Sequence, residues 1–394
     1  MCPDLITLAA PRSSKSRKLW PKSSHPNTLT MNASTAQHSP LYLLVHSDHP
    51  LDPLGPNSGA EMATLNQARA LAQSGKKVCV AARLKQPIQA DRGVHFIDLG
   101  ATYEIERAID WADAQGPYVL LAAGKAFALL LSRRSAQCIK RVLITHDRSA
   151  GDCGLRPELL EHVCDHILCV SHAQREKLAA EGAPLHRMHV IHNGVDFGIF
   201  EARPPERHNP RKLVFSGALV PDKGLHLLLG AFVELKQKFP ELQLDIFGSS
   251  SLWSREEYLN VEQIQRAVPG ITFHGKASQQ QIAGTLGEAG ICVVPSIWFD
   301  PYPLTSLEAQ ACGTPVVAFR VGGLPEGIAH NSTGCVVDEV SQEALTATLE
   351  GLLSDQQRLA LMSEAAASWS KQRFQWRDVA HKITALCEPP EPLR

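Results

Sequence analysis

Short apolar runs rich in branched residues alternate with helix-forming segments along most of this chain, and no other feature restricts the fold as much. Strands are predicted at Leu41 to Val45, Lys76 to Ala82, Val94 to Asp98, Tyr118 to Ala122, Arg141 to Thr145 and Ile167 to Val170, with helices near Ala60 to Ser74 and Ala173 to Glu181. The runs are nearly continuous in apolar residues, the mark of strands buried on both faces, so the sheet they form is mostly parallel with helices on either side. A second series follows at Leu213 to Ser216, Gln243 to Phe247, Ile271 to His274, Ile291 to Val294, Pro315 to Ala318 and Gly334 to Val337. Between the two lies Glu201 to Arg211, with three prolines and several charges, which has the composition of a linker. From Gln342 to about Leu386 the chain reads as helical, anchored by Trp369, Phe374 and Trp376.

The expected architecture is therefore α/β, with two doubly wound domains. The first takes residues 41–200, a linker 201–211, the second 212–372, and a last helix and tail 373–394. A chain of 394 residues with 44% hydrophobic content can bury two separate cores. A net charge of −1 argues against a nucleic-acid partner. The longest apolar run, Tyr118 to Leu131, is interrupted by Gly124 and Lys125 and is too short to cross a bilayer. The ten cysteines are scattered without a C-x-x-C pair and read as small core residues of a reducing compartment, so a cytoplasmic location is expected. Residues 1–40 stand apart: Arg12, Lys15, Arg17, Lys18 and Lys22 face only Asp4, and disorder is expected. This leader fits an organelle transit peptide, and Met31 fits equally well as the true start.

Chemistry concentrates between Val294 and Glu326. A loop carries Asp300, and a helix from about Tyr302 to Cys312 carries Glu308 before Gly313 ends it. At ~1.5 Å per helical residue the carboxylates lie roughly a nanometre apart, too far to share a proton and suited to gripping two ends of an elongated ligand. Pro303 stands where a helix tolerates a missing N–H, which leaves the amides of Leu304 and Thr305 to meet an anion. Hydroxyls at both ends and phosphates between them describe a nucleotide sugar. The plainer reading makes both acids helix-terminus partners in an ordinary α/β unit.

The stretch resembles the retaining GT-B glycosyltransferases of family 4, whose signature is two acids separated by seven residues, then LEA-x-A-x-G-x-P-V-V and GG-x-x-E. Asp300 and Glu308 take the acidic places, followed by Leu307, Ala309, Gly313, Pro315, Val316, Val317, Gly322, Gly323 and Glu326; Asp300 is shorter than the family's usual Glu. The resemblance covers about residues 41 to 386 and implies two facing Rossmann-like domains with an interdomain cleft. It implies transfer of a sugar from a nucleoside-diphosphate sugar to a glycan, lipid or small-molecule acceptor with retention at the anomeric carbon.

By that resemblance Glu308 binds ribose hydroxyls, Asp300 the sugar's hydroxyls, and Lys223 with the Leu304 and Thr305 amides the phosphates. Gly59-Ala60-Glu61 opens a helix that meets the phosphates in the family, although Gly and Asn also simply make turns. His146, just past a strand, matches a histidine near the transferred sugar, and without the family it reads as a loop histidine partnered by Asp147. Ala218 replaces a family arginine, so that either another cation such as Arg320 compensates or the donor is held more weakly. No DxD-like motif is convincing, and neither a metal nor any other cofactor is expected. Two other readings stay open, a nucleotide-sugar isomerase of the 2-epimerase type and an inactive sugar-nucleotide binder. Phe127 to Leu131 running into Arg133 and Arg134 suggests peripheral membrane contact, and a buried helix with a charged end explains the same pattern.

Overall fold

The computed structural model describes residues 39–146, 148–249 and 261–388; the expectations for the leader and for Asp147 lie outside these. Fourteen strands form two sheets among the described residues. The first contains β1 (Leu41–Leu51), β2 (Lys77–Leu84), β3 (Ala90–Asp91), β4 (Val94–Asp98), β5 (Tyr118–Ala123), β6 (Cys138–Thr145), β7 (His166–Cys169) and β8 (Met188–Val190), in the order β3-β4-β2-β1-β5-β6-β7-β8. The second contains β9 (Asn209–Ser216), β10 (Gln243–Phe247), β11 (Ile271–Gly275), β12 (Ala289–Val294), β13 (Val316–Phe319) and β14 (Gly334–Val337), in the order β11-β10-β9-β12-β13-β14. Every ladder is parallel except the two-residue pairing of β3 with β4.

Strand order reverses between β1 and β5 in one sheet and between β9 and β12 in the other. At such switch points the loops leaving neighbouring strands diverge to opposite faces and open a crevice at the carboxyl edge. Two local expectations change. His46 to Leu51, which reads as a turn-rich loop, continues β1, because Leu51 pairs with Leu84 and its carbonyl accepts from Lys85 N at 2.9 Å. Asn209 to Arg211, read as linker, already belong to β9.

One buried cluster runs through both sheets: Tyr42 and Leu44 from β1, Val214 and Cys292 from β9 and β12, and Trp376, Val379 and Ile383 from the last helix, Trp376–Cys387. That helix packs on the helix Gly59–Gln73 of the first sheet. Glu388 just beyond it accepts from the Tyr42 hydroxyl at 2.7 Å and pairs with Lys76 at 2.6 Å. The return is registered at Gly194, where a Cβ would sit 2.7 Å from Trp376 N, and by Val195 N donating to Phe374 O at 2.8 Å. All nine described cysteines are free and buried, which matches their reading as core residues.

Candidate active site

The segment that follows β12 is shaped by the segment that follows β9. The amides of Ile297 and Trp298 both donate to the Asp222 carbonyl, at 3.0 and 3.4 Å. Gly224 adopts φ 66° with the Pro295 carbonyl 1.8 Å from where a Cβ would stand, so only glycine allows this approach. The docking carries Lys223 to Asp300, 77 residues away in sequence, and the ammonium pairs with the carboxylate. Ser296 Oγ donates to the same oxygen at 3.2 Å. Asp300 is only 7% exposed, and a carboxylate so buried needs a counter-ion. The two groups expected to reach a ligand separately are thus partners of one another.

The helix Leu304–Ala311 begins at Pro303 without a side-chain cap, and the amides of Leu304 and Thr305 have no acceptor among the described residues. Thr305 Oγ1 donates to Ser216 O at 3.1 Å, which fixes this helix start beside the end of β9. One turn further, Glu308 is half-buried and its carboxylate has no hydrogen-bond or ion-pair partner among the described residues. Burial pushes its carboxyl up to about 7. Burial also raises the neighbouring thiols of Cys292 and Cys312, the latter to about 12, and the Glu308 charge adds to both. A half-buried, unpartnered carboxylate beside uncapped amides is an incomplete set of contacts, ready to accept from hydroxyls on one side and to donate to an anion on the other.

Glu326 has a different task from anything its place in the motif suggested. It caps the helix His172–Ala180 of the first sheet, accepting from Ala173 N and His172 N at 2.8 Å each, and contacts His192 Nε2 at 3.0 Å. Burial alone would raise its carboxyl, but the bonds from His192, Ala173 and His172 outweigh this and hold it below the usual carboxylate range. His192 in turn stacks on Tyr302, ring centres 4.8 Å apart. The ligand atoms of His172, His192 and Glu326 lie within 4.8 Å of one another, the spacing of a cation site. Both Glu326 oxygens are already used by two amides and an imidazole, and that donor set describes a helix cap joining the two sheets.

His146 follows β6 directly and is half-buried, beside β5 at the reversal of the first sheet. Gly59 opens its helix facing empty space, but Glu61 in that first turn already places a carboxylate there, held by the Ser58 hydroxyl. Arg320 is half exposed and pairs with Asp338 at 2.5 Å. The cation beside the Lys223 loop is instead Arg148, whose Nη1 lies 2.7 Å from Asp222 Oδ2 and whose guanidinium sits 5.2 Å from the Trp298 ring centre. A lone arginine in a loop carries no pattern by which sequence reading would single it out.

Two family models abut along the chain: Glycosyltransferase Family 4 matches residues 57–198 and Glycosyl transferases group 1 matches residues 197–369. The GDP-mannose-dependent alpha-(1-6)-phosphatidylinositol monomannoside mannosyltransferase of Mycolicibacterium smegmatis is 28% identical over 327 residues, covering 77% of this chain and 81% of the relative. The D-inositol 3-phosphate glycosyltransferase of Segniliparus rotundus is 31% identical over 211 residues, 50% of this chain, which spans only 46% of that relative's length. Among solved structures, Anabaena HepE in complex with UDP-glucose superposes with a TM-score of 0.70 at 19% identity, covering 87% of this chain and 98% of the other. Sucrose-phosphate synthase of Thermosynechococcus elongatus gives 0.70 at 18%, covering 88% and 98%. With two mainly parallel sheets joined through loops at their carboxyl edges and both halves of the chain matched, the protein belongs to the GT-B glycosyltransferases of the family 4 type.

Proposed function

We propose that this glycosyltransferase moves a sugar from a nucleoside-diphosphate sugar to an acceptor hydroxyl with retention at the anomeric carbon, without a metal. The observation that carries the reading is one helix, Leu304–Ala311, presenting free amides at its start and the unpartnered Glu308 a turn later. In this reading Glu308 accepts from the ribose hydroxyls, the amides of Leu304 and Thr305 with Lys223 meet the diphosphate, and Asp300 meets the sugar. His146 faces the reacting ring from the other sheet, and Gly59 lets the phosphates approach its helix. The bond from the anomeric carbon to the diphosphate oxygen breaks, the acceptor oxygen bonds on the vacated face, and its proton passes to the departing diphosphate. Negative charge grows on that oxygen, so fixed amides facing it, with the Lys223 ammonium close by, lower the barrier.

A groove of about 350 Å³ at the ends of β10 and β11, lined by Phe247, His274, Lys276 and Gln281, offers room for the base. Support for the donor class comes from the relatives: one is named as GDP-mannose-dependent and a structural neighbour holds UDP-glucose.

Thermal-shift measurements with UDP-, GDP- and ADP-sugars test this directly. One donor should raise the melting point, since a ligand at a hundredfold its dissociation constant stabilises by about 2.7 kcal/mol. Activity with that donor should survive exhaustive chelation and give an unchanged anomeric configuration. No shift with any donor, or chelator-sensitive turnover rescued by Mn or Mg, would sink the reading. Incubation with donor alone should give only slow hydrolysis, whereas an isomerase would convert the sugar.

Peripheral membrane contact and a cytoplasmic location belong to the same proposal. No described helix is long and apolar enough to cross a membrane. Phe127 and Leu130 are exposed while Ala128 and Leu129 are buried, so the short helix Phe127–Leu131 presents a narrow apolar edge. Arg134 is paired with Asp110 and Arg133 donates to the His162 carbonyl, which leaves little uncompensated charge for anionic lipid. Weak co-sedimentation with anionic vesicles, lost at moderate salt, is the expected result; none at low salt removes the idea.

A further inference from the structure

We propose that Arg148 is the second cation of the diphosphate site, supplied across the cleft by the first sheet; the inference rests on the donor reading above. The case begins with charge. Lys223 is the only cation that the second sheet brings to the motif loop by a bond among the described residues, and its charge is already balanced by Asp300. Ala218, in the loop after β9, contributes none. A helix N-terminus offers only about half an elementary charge. A nucleoside diphosphate, which brings at least two negative charges, therefore meets a site that is short of positive charge.

Arg148 is placed to supply it. It stands two residues beyond His146, in the loop leaving β6, and reaches the second sheet at Asp222, the residue immediately before Lys223. Its side chain is about one-third exposed, at 35%, so it is neither locked in the core nor loose on the surface. The Trp298 ring beneath the guanidinium belongs to the loop that leads to Asp300, and it holds the planar group by a cation–π contact that does not depend on Asp222. The carboxylate of Asp222 presents to that fork what a phosphate presents, an oxygen anion at hydrogen-bonding distance. Without donor Asp222 holds the arginine; with donor a phosphate oxygen takes its place, and Asp222 is released to water.

A simple clasp between the sheets would use the same contact, and the two roles separate by experiment. Binding of UDP and GDP, against uridine and guanosine, is measured by calorimetry on the full chain and its variants. Arg148→Gln should weaken the preferred diphosphate about tenfold or more, as loss of a charge-assisted bond of ~1.4 kcal/mol or above requires, and leave the nucleoside within twofold. Asp222→Asn removes the competitor and should leave diphosphate affinity unchanged or tighter. Adding Ala218→Arg to Arg148→Gln should restore most of the loss, because it returns a guanidinium to the end of β9. Melting points close to the parent's confirm that each variant is folded. Equal losses in Arg148→Gln and Asp222→Asn, a loss shared by the nucleosides, or no rescue by Ala218→Arg would each overturn the proposal in favour of a clasp. A parent that binds neither diphosphate defeats the donor reading itself, while a parent that binds and an Arg148→Gln that binds equally well defeats only the arginine.

Discussion

Asp300→Asn is expected to lower turnover by about a hundredfold or more while the affinity for the free nucleoside diphosphate stays level or improves. The split follows from the pair it forms with Lys223. In the parent, the carboxylate holds the ammonium, with Ser296 Oγ bonded to the same oxygen. Asparagine keeps the size and can still accept from Ser296, but it no longer neutralises Lys223. The ammonium is then free to bind phosphate more tightly in the ground state, whereas the reacting ring loses a fixed negative charge where positive character develops. Stability should fall by no more than about 1–2 kcal/mol, because Lys223 is partly hydrated and keeps water as a partner. A uniform binding group would show the reverse pattern, a higher Michaelis constant for donor with turnover unchanged.

The longer acid tests whether the site is built around aspartate. Asp300→Glu should reduce activity too, since Asp300 is nearly sealed and the Gly322 backbone lies against its own. An extra methylene there must displace Lys223 or its own backbone. Turnover of Asp300→Asn within about twofold of the parent, a change of roughly 0.5 kcal/mol, would mean that the chemistry is elsewhere.

The fold was legible because its signals are local and repeated. A run such as Gln243 to Phe247, bounded by turn residues, has one stable use, and Gly75 and Gly313 ended helices where the left-handed backbone was needed, φ 86° and 82°. The end of β1 was not legible, because the polar and proline residues His46 to Pro50 read as loop and only pairing with β2 makes them strand. The same division runs through the site. Glu308 and the amides of Leu304 and Thr305 lie within five residues, so spacing along one helix sets their arrangement. The Lys223–Asp300 pair, the Arg148–Asp222 bridge and the capping of His172–Ala180 by Glu326 join residues 77, 74 and 154 positions apart. The first depends on how two loops of one sheet pack and the other two on how the sheets are docked, and no period or motif along the chain encodes either. Arg320 shows the converse: a cation near the motif in sequence that the fold commits to Asp338.

Glu308→Gln should make the ligand-free protein more stable and the enzyme worse. The parent carboxyl, at about 7 in the folded chain against 4.5 when free of burial, keeps its proton longer folded than unfolded. Between those values the folded state binds more protons, so this group's contribution to stability falls as pH rises from about 4.5 to about 7 and then stays at its low plateau. Glutamine has no such dependence. The melting point of the variant should therefore exceed the parent's at pH 8, by an amount on the order of 1–3 kcal/mol of stability, and the gap should close as pH falls toward 5. Donor binding moves the other way. Ribose hydroxyls donate best to an ionised carboxylate, so the parent's affinity for donor should rise with pH through about 7 and binding should release protons into the buffer. The variant should bind about ten- to a hundredfold more weakly with no pH dependence from this position, the loss falling mainly on the Michaelis constant because the ribose lies away from the bond being broken. Calorimetry in buffers of different ionisation enthalpy measures the proton count directly. Equal melting-point gaps at pH 5 and pH 8 would show that the carboxylate is not held against its own burial, and a donor affinity within twofold of the parent would remove Glu308 from the ribose.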